Sequence, residues 1–338
     1  MRLLTRPALK RLAVLCVALG LVFSWCGCRM IHMPGKSFRG TLPELTSAQA
    51  GFRDELRRHV EKLGGDIGER NVLRPAQLRA AADYIEGVFT NLGYQVERQN
   101  YDVNGVTCAN LEAKLPGKTQ GDEIIVIGAH YDSVTGSPGA NDNGTGIAGV
   151  LALARAWARR EPQRTVRFVA FVNEEPPFFQ TDLMGSLVYA KHCRERGDKI
   201  IAMLSLETMG YYNPEKGSQK YPFPFGLFYP SRGDFIAFIG NTSNGDLVRR
   251  CVKTFRASAA FPSEGGAVPG ALPGVGWSDH WSFWQADYPG IMVTDTAPFR
   301  YPHYHTAADT PDKVDYERLA RVIDGLAKVL EELVAGGS

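Results

Sequence analysis

Cysteine is scarce in the body of this 338-residue chain. Of six cysteines, Cys16, Cys26 and Cys28 fall in the first 28 residues, leaving Cys108, Cys193 and Cys251. An odd three cannot complete a disulfide framework, although one bridge is open to them. None sits in a Cys-x-x-Cys pair, which argues against a thiolate zinc site. Charge of one sign is also missing. Thirty-eight Lys and Arg against 36 Asp and Glu leave +2, which points to neither nucleic acid nor a strongly acidic partner. There is no internal repeat and no low-complexity tract. The apolar stretch Leu12 to Trp25 is short for a membrane span. What remains is 44% hydrophobic and 22% charged, the balance of a globular protein with one large domain or two small ones.

Arg2, Arg6, Lys10 and Arg11 precede that apolar stretch, which ends at Cys26-Gly27-Cys28. Basic region, apolar core and a small residue before a cysteine form an export pattern. Residues 1–28 are expected to be a signal peptide or lipoprotein leader, with Cys28 as the lipid-carrying residue. An uncleaved anchor and ordinary cleavage are the alternatives. Each predicts an exported protein, attached to the cell envelope through its N-terminus or secreted. Residues 29–45 are polar with Pro and Gly and read as a linker. Residues 46–338 are expected to form the working domain.

Helical periodicity marks Ser47 to Leu63, Pro75 to Leu92, Ile147 to Trp157, Leu183 to Cys193, Leu247 to Ala260 and Asp315 to Val334. Strand patterns mark Tyr94 to Val103 and Val106 to Leu115 around the hairpin signal Asn104-Gly105. Further strands are expected at Glu123 to Ile127, Thr165 to Phe171, Ile200 to Leu206 and Gly290 to Thr294. This alternation predicts an α/β three-layer sandwich with a mostly parallel, mixed sheet. Residues 211–277 break the rhythm with Pro, Gly and aromatic residues. They are expected to form a loop-rich insertion, either a rim over the strand ends or a packed surface subdomain.

The stretch Gly128 to Gly146 joins a strand to a helix and carries His130, Asp132 and Asp142. Ligands of open α/β sheets bind at that carboxyl edge. Two later strands deliver Glu174-Glu175 and Glu207 to the same edge, and loops add Ser278-Asp279-His280, His303 and His305. Imidazole and carboxylate suit zinc, and Asp132 is spaced to hold the second nitrogen of His130. Clustered carboxylates repel one another without a cation. Adjacent Glu174 and Glu175 can divide the work, one on metal and one carrying a proton. The plain alternative is a set of turn-making and capping residues. Tyr131, Tyr211 and Tyr304 are candidate donors near the site, with packing the favoured reading of each.

Six motifs taken together carry a resemblance. They are Gly128-Ala-His-Tyr-Asp-Ser133, Gly139-Ala-Asn-Asp-Asn-Gly144, Asn173-Glu174-Glu175, Leu206-Glu-Thr-Met-Gly210, Ser278-Asp279-His280, and Tyr304-His305-Thr306 with Asp309-Thr310. In this order, over residues 120–325, the chain resembles the co-catalytic zinc exopeptidases of metallopeptidase family 28, related to aminopeptidase Y, aminopeptidase S and bacterial leucyl aminopeptidase. The resemblance implies a peptide substrate and two zinc ions. His130 and Glu207 would bind the first, Glu175 and His305 the second, and Asp142 would bridge them. Glu174 would be the general base and Asp132 would orient His130. A cis peptide is implied at Asp142-Asn143.

Two departures stand out. The family usually has Asp where this chain has Glu207. Pro176 to Asp182 also intervenes before the next helix, so side-chain preference does not transfer from relatives. Asp279 and His280 are given supporting roles, and His303 is read as a neighbour. Two other functions stay open: a single-zinc glutaminyl-peptide cyclotransferase using Asp142, Glu175 and His305, and a non-catalytic binding domain on the same fold.

Overall fold

The computed structural model describes residues 29–335, with residues 11 and 27 as isolated positions. The expected leader therefore lies almost wholly outside the described residues. Among the described residues no helix is long and apolar enough to cross a membrane.

The strands are β1 (Val96–Val103), β2 (Val106–Leu115), β3 (Gln120–His130), β4 (Arg164–Phe171), β5 (Lys199–Glu207), β6 (Ile236–Gly240), β7 (Ser263–Ala267) and β8 (Gly290–Thr294). They form one sheet in the order β1-β2-β4-β3-β5-β8-β6-β7. The centre, β4-β3-β5-β8, is parallel. The β1-β2 hairpin joins antiparallel at one end, and β6 runs antiparallel to β8 at the other. The sheet is thus mixed, and its central strands are buried runs, as a sheet covered on both faces requires.

Helices α1 (Ser47–Val60), α2 (Pro75–Asn91), α3 (Gly144–Trp157), α5 (Gly245–Ser258) and α7 (Tyr316–Ala335) cover one face. Thr46 starts α1 by accepting from the Gln49 amide at 3.2 Å, with the Gln49 side chain returning the bond. The α7 stripe Leu319, Val322, Ile323, Leu326, Leu330 and Leu333 is buried in the larger core. The opposite face carries α4 (Gly185–Glu195) and the short α6 (His280–Gln285), which close a smaller core around Phe171, Tyr189, Met203 and Phe283. That second helical layer reaches the start of β8 and does not continue over β6 and β7.

Inside residues 211–277 the structure has β6, α5 and β7, so the segment contributes two strands to the sheet. Sequence reading found only the helix. Ser-Glu-Gly-Gly-Ala of β7 has little strand propensity of its own, and it is held by register pairing with β6. Residues 29–45 lie against the domain: Arg256 donates to the carbonyls of Met33, Pro34 and Gly35, and Arg321 to that of Pro43. Cys108, Cys193 and Cys251 are buried free thiols.

Candidate metal centre

His130 ends β3 and Glu207 ends β5. The last registered pair before them is Gly128 with Ser205, so two residues on, both side chains rise from the same sheet face. Asp142 reaches them from the turn that starts α3. Its peptide bond to Asn143 is cis, where the resemblance implied it. His130 Nε2 lies 3.5 Å from Asp142 Oδ1 and 3.3 Å from Glu207 Oε2. His305 Nε2 lies 3.1 Å from Asp142 Oδ2 and 3.2 Å from Glu175 Oε2. His130, Asp142 and Glu207 form one group whose ligand atoms all lie within 4.8 Å of one another, and Asp142, Glu175 and His305 form a second. Asp142 belongs to both, one oxygen facing each histidine. Its Oδ2 is buried with no hydrogen-bond partner. A buried oxygen of that kind, between a second carboxylate and an imidazole, fits a divalent cation better than it fits apolar surroundings.

Asp132 does more than face His130 across 3.5 Å. Its two oxygens accept from the amides of Glu174 and Glu175, each at 3.2 Å. One carboxylate thus fixes the end of β3 and the turn after β4 together. Asn173 takes a positive φ there, which swings the consecutive glutamates off the strand so that both face the site. Glu174 Oε2 is 3.8 Å from His130 Nε2, and Glu174 falls outside both ligand groups.

Four carboxylates and two imidazoles share a nearly dry space. Burial, Glu207 and Glu175 push Glu174 well above the usual carboxylate range, against the pull of His130. Burial and Asp142 bring Glu175 up to about 7 against His305, and burial also raises Glu207. Asp142 goes the other way: burial opposes its ionisation, and the contacts with His130 and His305 outweigh it. Burial disfavours charge on His305, yet Asp142 and Glu175 carry it to about 10. Protons thus occupy this ligand set when no cation does.

The remaining candidates separate. Glu207 accepts from Ser278 Oγ at 2.7 Å, and Ser278 Oγ lies 2.8 Å from Ser205 Oγ. Asp279 is buried among His130, Glu207 and Asp132, with neither oxygen hydrogen-bonded, and burial takes it to about 7. His280 turns away to the Val275 carbonyl at 2.7 Å. His303 packs edge-on against Tyr301. Tyr131 donates to the Ala109 carbonyl, and Tyr211 packs on Tyr301. Tyr304 alone of the three tyrosines faces the site. It stacks on His305 with ring centroids 3.8 Å apart, and burial and the surrounding carboxylates hold its phenol protonated.

Two supporting residues escaped sequence reading. Arg70, fully buried, donates to the carbonyls of Tyr131, Pro138 and Gly139, and so holds the loop between His130 and Asp142 from beneath. Asp309 accepts from the amides of Asn141 and Asp142 at 2.9 and 3.0 Å. Its signal was its place in the last motif.

A family profile described as Peptidase family M28 matches residues 110–330. The chain belongs to peptidase family M28. By that membership it is a metallo-exopeptidase. It is 39% identical to the uncharacterized protein YfbL of Escherichia coli K12 over 286 residues, 82% of this chain and 87% of that one. It is 30% identical to Aminopeptidase YwaD of Bacillus subtilis over 65% of this chain and 43% of the relative. Apart from YfbL, the chain spans about half the length of the first curated relatives it matches. Among solved structures, BSAP, a zinc aminopeptidase from Bacillus subtilis, superposes with a TM-score of 0.69 at 16% identity, covering 88% of this chain and 98% of that one. The glutaminyl cyclase of Fimbriiglobus ruber gives 0.63 at 21% identity, covering 89% and 99%. At those identities the superpositions speak for the fold alone.

Proposed function

We propose that this family member is an aminopeptidase that removes N-terminal residues from peptides with two zinc ions per chain. The observation that carries the reading is Asp142, which presents one carboxylate oxygen to each of two ligand groups. His130 and Glu207 complete the first zinc site, and Glu175 and His305 the second. When bound, the zinc pair supplies Lewis acidity toward water and the scissile carbonyl.

The chain's own residues do the rest. Glu174 lies beside both groups without joining either, free to take a proton from water and return it to the leaving amine. Asp132 keeps the His130 ring turned and holds Glu174 and Glu175 at their amides. Tyr304 keeps its proton and donates to the oxygen that gains charge as the carbonyl becomes tetrahedral. The cyclotransferase alternative needs Asp142, Glu175 and His305 only; His130 and Glu207, complete and buried, favour the two-zinc reading. A full ligand set with a base beside it likewise disfavours a non-catalytic binding domain. The basic and apolar N-terminal leader supports export, with attachment through Cys28 or release.

The test is a panel of aminoacyl, N-blocked and C-terminally free peptide substrates, with zinc counted by metal analysis. Cleavage only where the N-terminus is free, lost to chelator and restored by zinc, is the expected outcome. Cleavage of N-blocked peptides from the C-terminus would replace the aminopeptidase reading. One zinc per chain with cyclisation of N-terminal glutamine would replace the hydrolase.

A further inference from the structure

Where α6 ends, the sheet face over the far half of β8 and over β6 and β7 lacks a helical cover, and residues 219–235 and 268–277 roof it instead. Between sheet and roof lies a trough with a cavity volume of about 110 Å³. Its inner end holds Glu207 and Tyr304, so it opens directly from the metal centre. Strand register sets its course. Glu207 pairs with Thr294, Thr294 with Ala237, and Ala237 with Glu264, which makes one row across β5, β8, β6 and β7. Thr294 to Glu264 is two strand spacings, roughly 10 Å. The floor between them is low because Ala237 stands there, and Gly266, two residues beyond Glu264 on the same face of β7, adds no side chain. Aromatic rings make the walls: Tyr221 and Tyr229 stacked at 5.8 Å, and Trp277 parallel to Phe299 at 6.3 Å.

The far end is polar. Glu264 is mostly buried, yet its carboxylate accepts no hydrogen bond among the described residues. Arg256 approaches it at 3.6 Å and spends its donors on the carbonyls of Met33, Pro34, Gly35 and Ser263. Arg39 adds a second positive field. With Arg256 and Arg39 on one side and Asp234 beside it on the other, the Glu264 carboxylate offers a further cation little net attraction. It still offers lone pairs to a neutral donor.

Resting on the aminopeptidase reading, we propose that this trough receives the side chain of the substrate's N-terminal residue and that Glu264 is a specificity-determining residue, selecting a large aromatic side chain with a hydrogen-bond donor at its tip, tyrosine first. A flat ring fits the low floor and the aromatic lining. A leucine side chain stops short over Thr294 and leaves the outer half of an apolar trough to water. A lysine or arginine brings charge to an end already balanced. A site that hydrogen-bonds a hydroxyl discriminates against the analogue without it, here by about tenfold to a hundredfold, the range for a hydrogen bond to a charged group.

The experiment uses the zinc-loaded full chain and reads two things. Calorimetry measures binding of free tyrosine, phenylalanine, leucine and lysine; 4-nitroanilides of the same residues give kcat/KM. The expected order is tyrosine above phenylalanine by at least tenfold, phenylalanine above leucine, lysine weak. Glu264→Leu should bring the tyrosine-to-phenylalanine ratio to about one while phenylalanine and the zinc content hold. Ala237→Leu, which raises the floor, should weaken both aromatics and spare leucine. Tyrosine-selective binding lost in Glu264→Leu, without turnover of any anilide, would keep the trough assignment and sink the aminopeptidase reading. Leucine or lysine bound best, or a tyrosine preference that survives Glu264→Leu, overturns the proposal.

Discussion

At the scale of single residues, the site depends on what separates two neighbouring glutamates. Glu175 falls in a ligand group and Glu174 does not, although Asp132 holds both amides at the same distance. On the proposed assignment, Glu174→Gln keeps its shape and both zinc ions but cannot accept a proton. Turnover should fall by about 10²–10⁴-fold with metal content unchanged; near-normal kcat would remove Glu174 as the base. Glu207 poses a different question, because its extra methylene lets the carboxylate swing. Ser278 and Asn143, at 2.7 and 3.3 Å, hold it. Ser278→Ala should weaken the first zinc by roughly 10–100-fold and leave the second, readable as stepwise zinc loss in a chelator titration. Equal loss from both sites would assign Ser278 to general stability. Every proposed ligand was named from the sequence because each sits in a short motif, at or just past a strand end for His130, Glu175 and Glu207, at a helix start for Asp142 and in a loop for His305. Arg70 and Asp309 were not assigned roles, because their work is to bind backbone carbonyls and amides far away in the chain. No local pattern records such bonds.

At the scale of elements, the end of β5 and the start of α3 are fitted to each other. Asn143 accepts from the amides of Gly146 and Thr208 and donates to the Leu206 carbonyl, so one side chain joins the helix start to the strand end. Gly146 allows the approach: a Cβ there would stand 2.2 Å from Asn143 Oδ1 and 2.3 Å from the Leu206 carbonyl. Gly146→Ala should therefore cost about 1–3 kcal/mol, the range for overpacking a tight contact. Because the displaced element carries Asp142, zinc content should fall with it. Denaturation at fixed zinc, paired with metal analysis, checks both; an unchanged midpoint would mean that the helix start gives way freely. The elements that sequence reading found are those with a strong period or a long apolar run, such as β3, β4, β5 and α7. It missed α6, which is short, β6, a five-residue run inside a Pro- and aromatic-rich segment, and β7, whose Gly-Gly centre has no strand signal and which pairs along the edge that β6 offers.

At the scale of the whole molecule, the fold gathers buried carboxylates and imidazoles that are stable only as a neutralised set. Protons and zinc compete to neutralise it. His305, carried to about 10 by Asp142 and Glu175, is protonated at pH 7 in the metal-free chain, and zinc takes only neutral imidazole. Zinc affinity should then rise as pH climbs from 7 toward 10, about tenfold per pH unit for each proton displaced. Calorimetry in buffers of different ionisation enthalpy will count those protons, and zinc uptake without proton release between pH 7 and 9 would exclude His305 as a ligand. Stability follows with a definite sign. A folded pKa above the unfolded value of about 6.5 gives the metal-free protein stability that is complete below pH 6.5 and is lost as pH rises through about 10. The zinc-loaded form gains affinity over that same interval. The gap in melting temperature between loaded and metal-free protein should therefore widen steadily from pH 6.5 to 10, and a constant gap would mean that the imidazole carries no proton for zinc to displace.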